Sequence, residues 1–208
     1  MRFFRLFLSG LWLCAFAAHA GIPDYQDFSA SGRLAALVRL FGDEAGHQRP
    51  GRDLILSRLV EVLLIESLRA AQASGKQVVV FAVARAAVPV LRAAALLESE
   101  RRNRLCVVLM HPNLYTTAEP LDEPAYLDLG DLSGLRVRVL QPRRSAATPW
   151  LPGLLDHLAR HGATVSDAIL ENLREGYWAR ETPTDFEIAE SRRMDAMLLH
   201  QLETWGCK

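Results

Sequence analysis

Apolar positions Leu56, Leu59, Val60, Leu63, Leu64 and Leu68 recur at intervals of three and four, while Arg58, Glu61 and Arg69 face away. That spacing predicts a long amphipathic helix from Asp53, a plausible N-cap, to about Ala73, ended by Ser74-Gly75. A shorter stretch of the same period, Leu34, Leu37, Val38 and Phe41, predicts a helix over Arg33 to Phe41, with a loop from Gly42 to Gly51 between the two. The period then changes. Gln77 to Val83 is an apolar run rich in β-branched residues, the signature of a strand buried on both faces. It gives way to small residues and an Ala/Leu-rich segment with Pro89 early in it, where a helix tolerates proline. A strand, a tight turn of small residues and a helix therefore span Gly75 to Leu97, and the rest of the chain is arranged around them.

The alternation continues. Leu105 to Met110 predicts a second buried strand, ending at His111-Pro112-Asn113, and a long loop runs from there to Gly134. Leu135 to Gln141 predicts a third strand stopped by Pro142, and Trp150 to Arg160 a helix with Leu151, Leu154, Leu155 and Leu158 inward, broken by Gly162. Ala163 to Leu170 predicts a weaker fourth strand, and Asp185 to Thr204 a closing helix. Strands buried on both faces and separated by helices mean the α/β class: a small, mostly parallel sheet of about four strands with helices on both faces. The outer edge of the first strand would expose unpaired backbone unless the arm at Gly21 to Ala30 or a partner subunit covers it.

The first twenty residues read differently. Arg2 and Arg5 precede an apolar run from Leu6 to Ala18, and Ala18-His19-Ala20 supplies the small residues of a cleavage site. This is the pattern of a secretory signal peptide cut after Ala20. The division expected is thus 1–20 signal peptide, 21–52 N-terminal arm and short helix, and 53–208 α/β domain. The protein is expected to be exported, periplasmic or secreted, with no membrane span after cleavage. The chain of 208 residues balances 24 basic against 24 acidic groups. Loss of the two arginines leaves 22 against 24, a net charge of −2, which argues against a nucleic-acid partner held by phosphate neutralisation. Cys106 and Cys207 remain in the exported chain, where a disulfide is permitted; a bridge and two free thiols both fit the sequence.

The segment Val79-Val80-Phe81 followed by Ala82-Val83-Ala84-Arg85-Ala86, and the strand ending Leu109-Met110-His111-Pro112-Asn113, resemble the C-terminal half of an α/β-hydrolase. The resemblance implies a truncated α/β-hydrolase-like domain with a degenerate nucleophile elbow. Ala84 then falls where the attacking serine belongs, and Ala82 and Ala86 on the flanking glycines. The acid position falls in Gln141-Pro142-Arg143-Arg144-Ser145, without a carboxylate, and the histidine position in Leu173 to Trp178, without a histidine. A nucleophile needs a base and the base an orienting partner. With all three roles vacant, the resemblance implies a non-catalytic protein that binds a small ligand or a protein partner in the cell envelope.

Two other readings stay open: a serine esterase or peptidase using Ser145 and His111, and a structural subunit pairing through an open sheet edge as a homodimer or with another chain. His111 stands at the carboxyl end of a strand, where ligands bind in open α/β sheets, and could line a cleft with Asn113 and Tyr115. Arg85, Arg143 and Arg144 follow the first and third strands and could converge on a small anionic ligand. Arginine is also simply the usual cation of a chain with two lysines. The acidic loop Glu119, Asp122, Glu123, Asp128 and Asp131 lacks the spacing of a calcium loop. His157 and His161 have the spacing of a zinc pair but no evident third ligand. No metal or cofactor is expected.

Overall fold

The computed structural model describes residues 4–8, 11–16, 32–47, 50–73, 77–116, 124–174, 184–186, 188–190 and 193. Its centre is a parallel sheet. Strands β3 (Val78–Val83), β4 (Leu105–Met110), β7 (Arg136–Arg144) and β8 (Thr164–Arg174) lie side by side in that order, each parallel to the next. An antiparallel hairpin of β1 (Phe4–Leu8) and β2 (Leu11–Phe16) extends the sheet beyond β3. The fold is mixed α/β, with the parallel strands that the buried apolar runs require.

Successive strand residues point to opposite faces, and each face carries its own core. On one, Val80, Leu105, Val107, Leu109, Val137 and Val139 pack with residues of the helices α2 (Arg52–Gln72), α3 (Ala87–Ala95) and α5 (Leu151–Arg160). On the other, the described residues of the buried cluster lie on strands: Val79, Cys106, Val108, Met110, Leu140, Leu170 and Leu173. Cys106 is fully buried there and disulfide-bonded. Most of the closing helix expected over Asp185 to Thr204 lies outside the described residues, as does the arm Gly21 to Ala30. Asp185, Phe186, Ile188 to Glu190 and Arg193 are helical.

Several boundaries differ from expectation, each for a local reason. The first helix, α1 (Gly32–Gly46), runs through Phe41 into the stretch read as a loop. The long helix α2 starts at Arg52 with Gly51 as N-cap at φ 79° and no side-chain cap, so Asp53 sits in the first turn instead. There its carboxylate still faces the positive end of the helix dipole. Pro142 does not stop the third strand. β4 stops pairing with β7 at Met110 and Leu140, so beyond that level β7 has no ladder on that side and a residue lacking an N–H is tolerated. Pro142 pairs with Leu170 across β8, and the register shifts between Pro142 and Arg144. The long loop after β4 contains a short hairpin, β5 (Tyr115–Thr116) with β6 (Ala125–Tyr126). Between α3 and β4 lies one further turn of helix, α4 (Ser99–Arg102). Among the described residues the edge of β3 is paired with β2, which comes from the segment read as a leader.

Candidate functional site

The carboxyl ends of β3, β4 and β7 bring the sequence's candidate residues to one edge. Ala84 stands at the corner where β3 turns into a short 3-10 turn (Ala84–Ala86) and then α3, with φ 50°. Its neighbour across the ladder is His111, with φ 47°, since Val83 pairs with Met110 one residue earlier in each strand. Left-handed backbone is costly for a residue bearing a Cβ. Two such residues side by side mean that both strands turn sharply at the same level. Hydrogen bonds hold the corner: the Asn113 N–H donates to the Ala84 carbonyl at 3.2 Å, and the His111 N–H to the Leu140 carbonyl at 2.8 Å. The pairing of Ala84 with His111 has no signal in the linear sequence, because it depends on the register of two strands.

His111 is buried, and two side chains from β7 and the turn after it reach its ring. Gln141 Nε2 lies 3.2 Å from His111 Nδ1, and Ser145 Oγ lies 3.3 Å from the same nitrogen. An amide NH₂ can only donate, so Nδ1 is an acceptor and the ring proton sits on Nε2. The serine hydroxyl then competes with Gln141 for one lone pair. Ser145 Oγ also accepts the Ala147 N–H at 3.1 Å, which fixes the turn leading to α5. Gln141 was not among the residues singled out by sequence. Its one signal is a polar side chain in an apolar strand, and it is fully buried here.

The arginines do not form one cluster of free charge. Arg143 is paired with Glu171 on β8: Nη2 donates to Oε1 at 2.6 Å, and Nε to Oε2. The hydrogen bonds and charge of Arg143 lower the Glu171 pKa below the usual carboxylate range, and Glu171 raises that of Arg143. Arg85 and Arg144 are exposed, at the ends of β3 and β7 with β4 between them. Asn113 is half-buried beside the corner.

The remaining candidates are engaged elsewhere. His157 Nε2 is 2.9 Å from the Leu127 carbonyl, and its ring stacks on Tyr126 with centroids 4.8 Å apart. His161 Nδ1 is 2.7 Å from the Gly130 carbonyl. The two imidazoles thus donate to backbone oxygens of one loop and latch it to α5. Burial pushes the His157 pKa down, with His161 and Arg160 adding to the effect, against smaller opposing contributions from the Leu127 carbonyl and Asp128. Asp131 accepts the Ser133 N–H at 3.0 Å and an Arg102 N–H at 2.8 Å, and its pKa is lowered chiefly by Ser133. Glu119, Asp122 and Glu123 lie outside the described residues. Among the described residues no group of three or more His, Cys, Asp and Glu is placed to hold a metal, and no helix is long and apolar enough to cross a membrane.

Comparison with known families changes the reading of kinship. Residues 12–73 match a family model described as Cupin, which is less than half of the chain. No curated protein and no solved structure matches the chain. The α/β-hydrolase resemblance is therefore corrected: the family matched is not a hydrolase family, and the likeness rested on features any parallel α/β sheet must have. An apolar strand entering a helix through small residues is what close strand–helix packing demands, whatever the family. Cupins are built on β-sandwich jelly rolls, whereas the described residues of the matched stretch hold the strand β2 and the helices α1 and α2. The match is thus a likeness of one segment, which ends where the parallel sheet begins.

Proposed function

We propose that this is an exported protein that binds a small anionic ligand at the carboxyl edge of its parallel sheet and performs no acyl hydrolysis there. The observation carrying this reading is the convergence of Gln141 and Ser145 on Nδ1 of the buried His111, at the level where β3 and β4 both turn. Ligands of open α/β sheets bind at this edge. The helical segment from Ala84 begins here, and the exposed residues Arg85, in its first turn, and Arg144, at the end of β7, add positive charge to this edge, which favours an anion. The shared lone pair argues against catalysis, because a base already accepting from an amide is poorly placed to take a serine proton. Export is supported by the leader pattern and by the disulfide at Cys106, a bond that reducing compartments do not maintain.

Isothermal titration of the exported protein with inorganic phosphate and with small carboxylates tests the reading. Saturable binding that weakens by about tenfold or more in His111→Ala and in Arg144→Ala is the expected result. The absence of binding to either ligand class at millimolar concentration would refute it.

A second reading, a serine acyl hydrolase, draws on the same 3.3 Å approach of Ser145 to His111. A fluorophosphonate probe distinguishes them: labelling that disappears in Ser145→Ala would establish the hydrolase and displace the binding protein. Cleavage after Ala20 would also remove β1 and β2 and open the edge of β3 to a strand from a second copy or another protein. Light scattering across a concentration series checks that consequence, and a strict monomer would count against it.

A further inference from the structure

The outer edge of β3 takes an antiparallel strand. β2 occupies it in that sense, with Cys14 opposite Phe81, Ala15 opposite Val80 and Phe16 opposite Val79. One bond fixes the direction of the backbone groups: the Val78 N–H donates to the Arg104 carbonyl at 2.9 Å, towards β4. Successive N–H groups of a strand point to opposite sides in the plane of the sheet. Those of Val79, Phe81 and Val83 therefore point away from β4, to the edge. Edges are usually guarded by charge, proline or a bulge. Val78–Val83 holds no charge and no proline, and its ladder with β4 runs over six residue pairs without a shift of register.

We propose that in the exported chain, cut after Ala20, this edge pairs with β3 of a second copy, antiparallel and centred on Phe81. The inference rests on the reading that the protein is exported and its leader removed, since β1 and β2 leave with that segment. A two-fold axis matches a surface to itself. Two copies of one strand can obey it and exchange backbone hydrogen bonds only when they run antiparallel, the sense in which β3 already takes β2. Centring on Phe81 uses every outward-pointing group. Phe81 faces Phe81 of the second copy and Val79 faces Val83 in both directions, each pair exchanging two backbone bonds with Cα atoms about 5.5 Å apart. The side chains agree with the backbone. Val79 belongs to the cluster on the second face, and Phe81 and Val83 are half-buried against it. The join therefore brings two such clusters together, with an aromatic pair at the centre. Four parallel strands from each copy then make one sheet of eight. A second copy fits this edge better than a foreign strand, because the edge is its own complement and carries no charged or polar side chain to select another sequence.

Intact mass and light scattering of the exported protein, read together, test the pairing. The first should show a chain beginning at Gly21, and the second about twice the mass of one chain. Phe81→Lys and Phe81→Glu should each weaken the dimer by about tenfold or more, because this position meets itself and like charges then oppose each other. Mixed in equal amounts, the two variants should return to dimer, which also shows that both are folded. Hydrogen exchange of the unaltered chain needs no substitution. The amides of Val79, Phe81 and Val83 should be protected in the dimer and exchange about tenfold faster or more on dilution to monomer. A cut chain that stays monomeric across a concentration series overturns the pairing and leaves export standing. So does a cut chain that is monomeric alone and forms a one-to-one complex with another polypeptide through this edge. A dimer whose Val79, Phe81 and Val83 amides exchange freely, or whose charged variants associate like the unaltered chain, uses another surface and overturns the pairing. An exported chain that keeps its first twenty residues refutes the cleavage, and the pairing falls with it.

Discussion

The helix pair α1–α2 and the parallel sheet treat their apolar residues in opposite ways. In β4 all six residues are buried, and Leu105 and Leu109 have no exposure at all. In α1 and α2, Val38 is 54% exposed, Leu54 66% and Ile55 43%. The long helix docks on the sheet core along one stripe, in which Leu64 and Leu68 are buried, buries Leu59 and Leu63 as well, and leaves Leu54, Ile55 and Val62 outward. The sheet is a closed core whose residues determine one another, whereas the helix pair is fastened along a seam. The proposed ligand edge lies at the carboxyl ends of the sheet strands and in the turns that follow them, next to the densest packing in the described residues.

Substitutions can sharpen or break that contrast. Leu109→Ala, in the sheet core, should cost about 2–5 kcal/mol in denaturant unfolding, because the close-packed surroundings cannot collapse onto the cavity. A loss below about 1 kcal/mol would mean that the sheet is packed as loosely as the helices. Arg102→Ala should cost about 1–3 kcal/mol, since Nη1 donates to the carbonyls of Ala95 at 3.0 Å and Asp131 at 2.8 Å, which would lose that partner. Ala84→Gly should stabilise by about 1 kcal/mol by relieving left-handed backbone at φ 50°. A destabilised glycine variant would show that the corner is not strained.

The histidine latch gives a smaller, pH-dependent effect. The folded-state pKa of His157 is lowered, so below about 6.5 the unfolded chain binds the proton more readily than the folded one. Stability should therefore fall as the pH drops from about 6.5 towards the folded-state value, and His157→Asn should flatten that part of a melting-temperature profile. A steeper profile in the variant would reverse the sign argued for the latch. Smallest of all, Leu54→Ser on the exposed face of α2 should change stability by no more than about 0.5 kcal/mol. A larger loss would mean that this face is covered in solution.

What could be read from the chain follows from the range of the forces involved. β4 is found where Leu105 to Met110 predicts it, because a run buried on both faces needs no knowledge of its neighbours. Pro142 was misleading because proline is tolerated or excluded according to where the adjacent strand ends, and that is set by the pairing of Met110 with Leu140. The loop-like composition of Gly42 to Gly51 hides the second half of α1, which carries Gly42 inside it and runs to Gly46. At the site, His111 and Ser145 stand out by residue type, but Gln141 and the twin turn at Ala84 and His111 exist only through register. Arg143 illustrates the converse, since its charge is answered by Glu171, a residue 28 positions away in sequence.

The twin left-handed residues have a consequence for how a guest would be received. Because Ala84 and His111 bend their strands together and the Asn113 N–H braces the Ala84 carbonyl, the fold itself sets the shape of the rim at which a ligand is proposed to bind. Entropy lost on ordering is then charged to folding rather than to association, so recognition would select by fit instead of by moulding. The empty and loaded proteins should superpose at this rim, and the rate of capture should follow diffusion and charge rather than the opening of a gate.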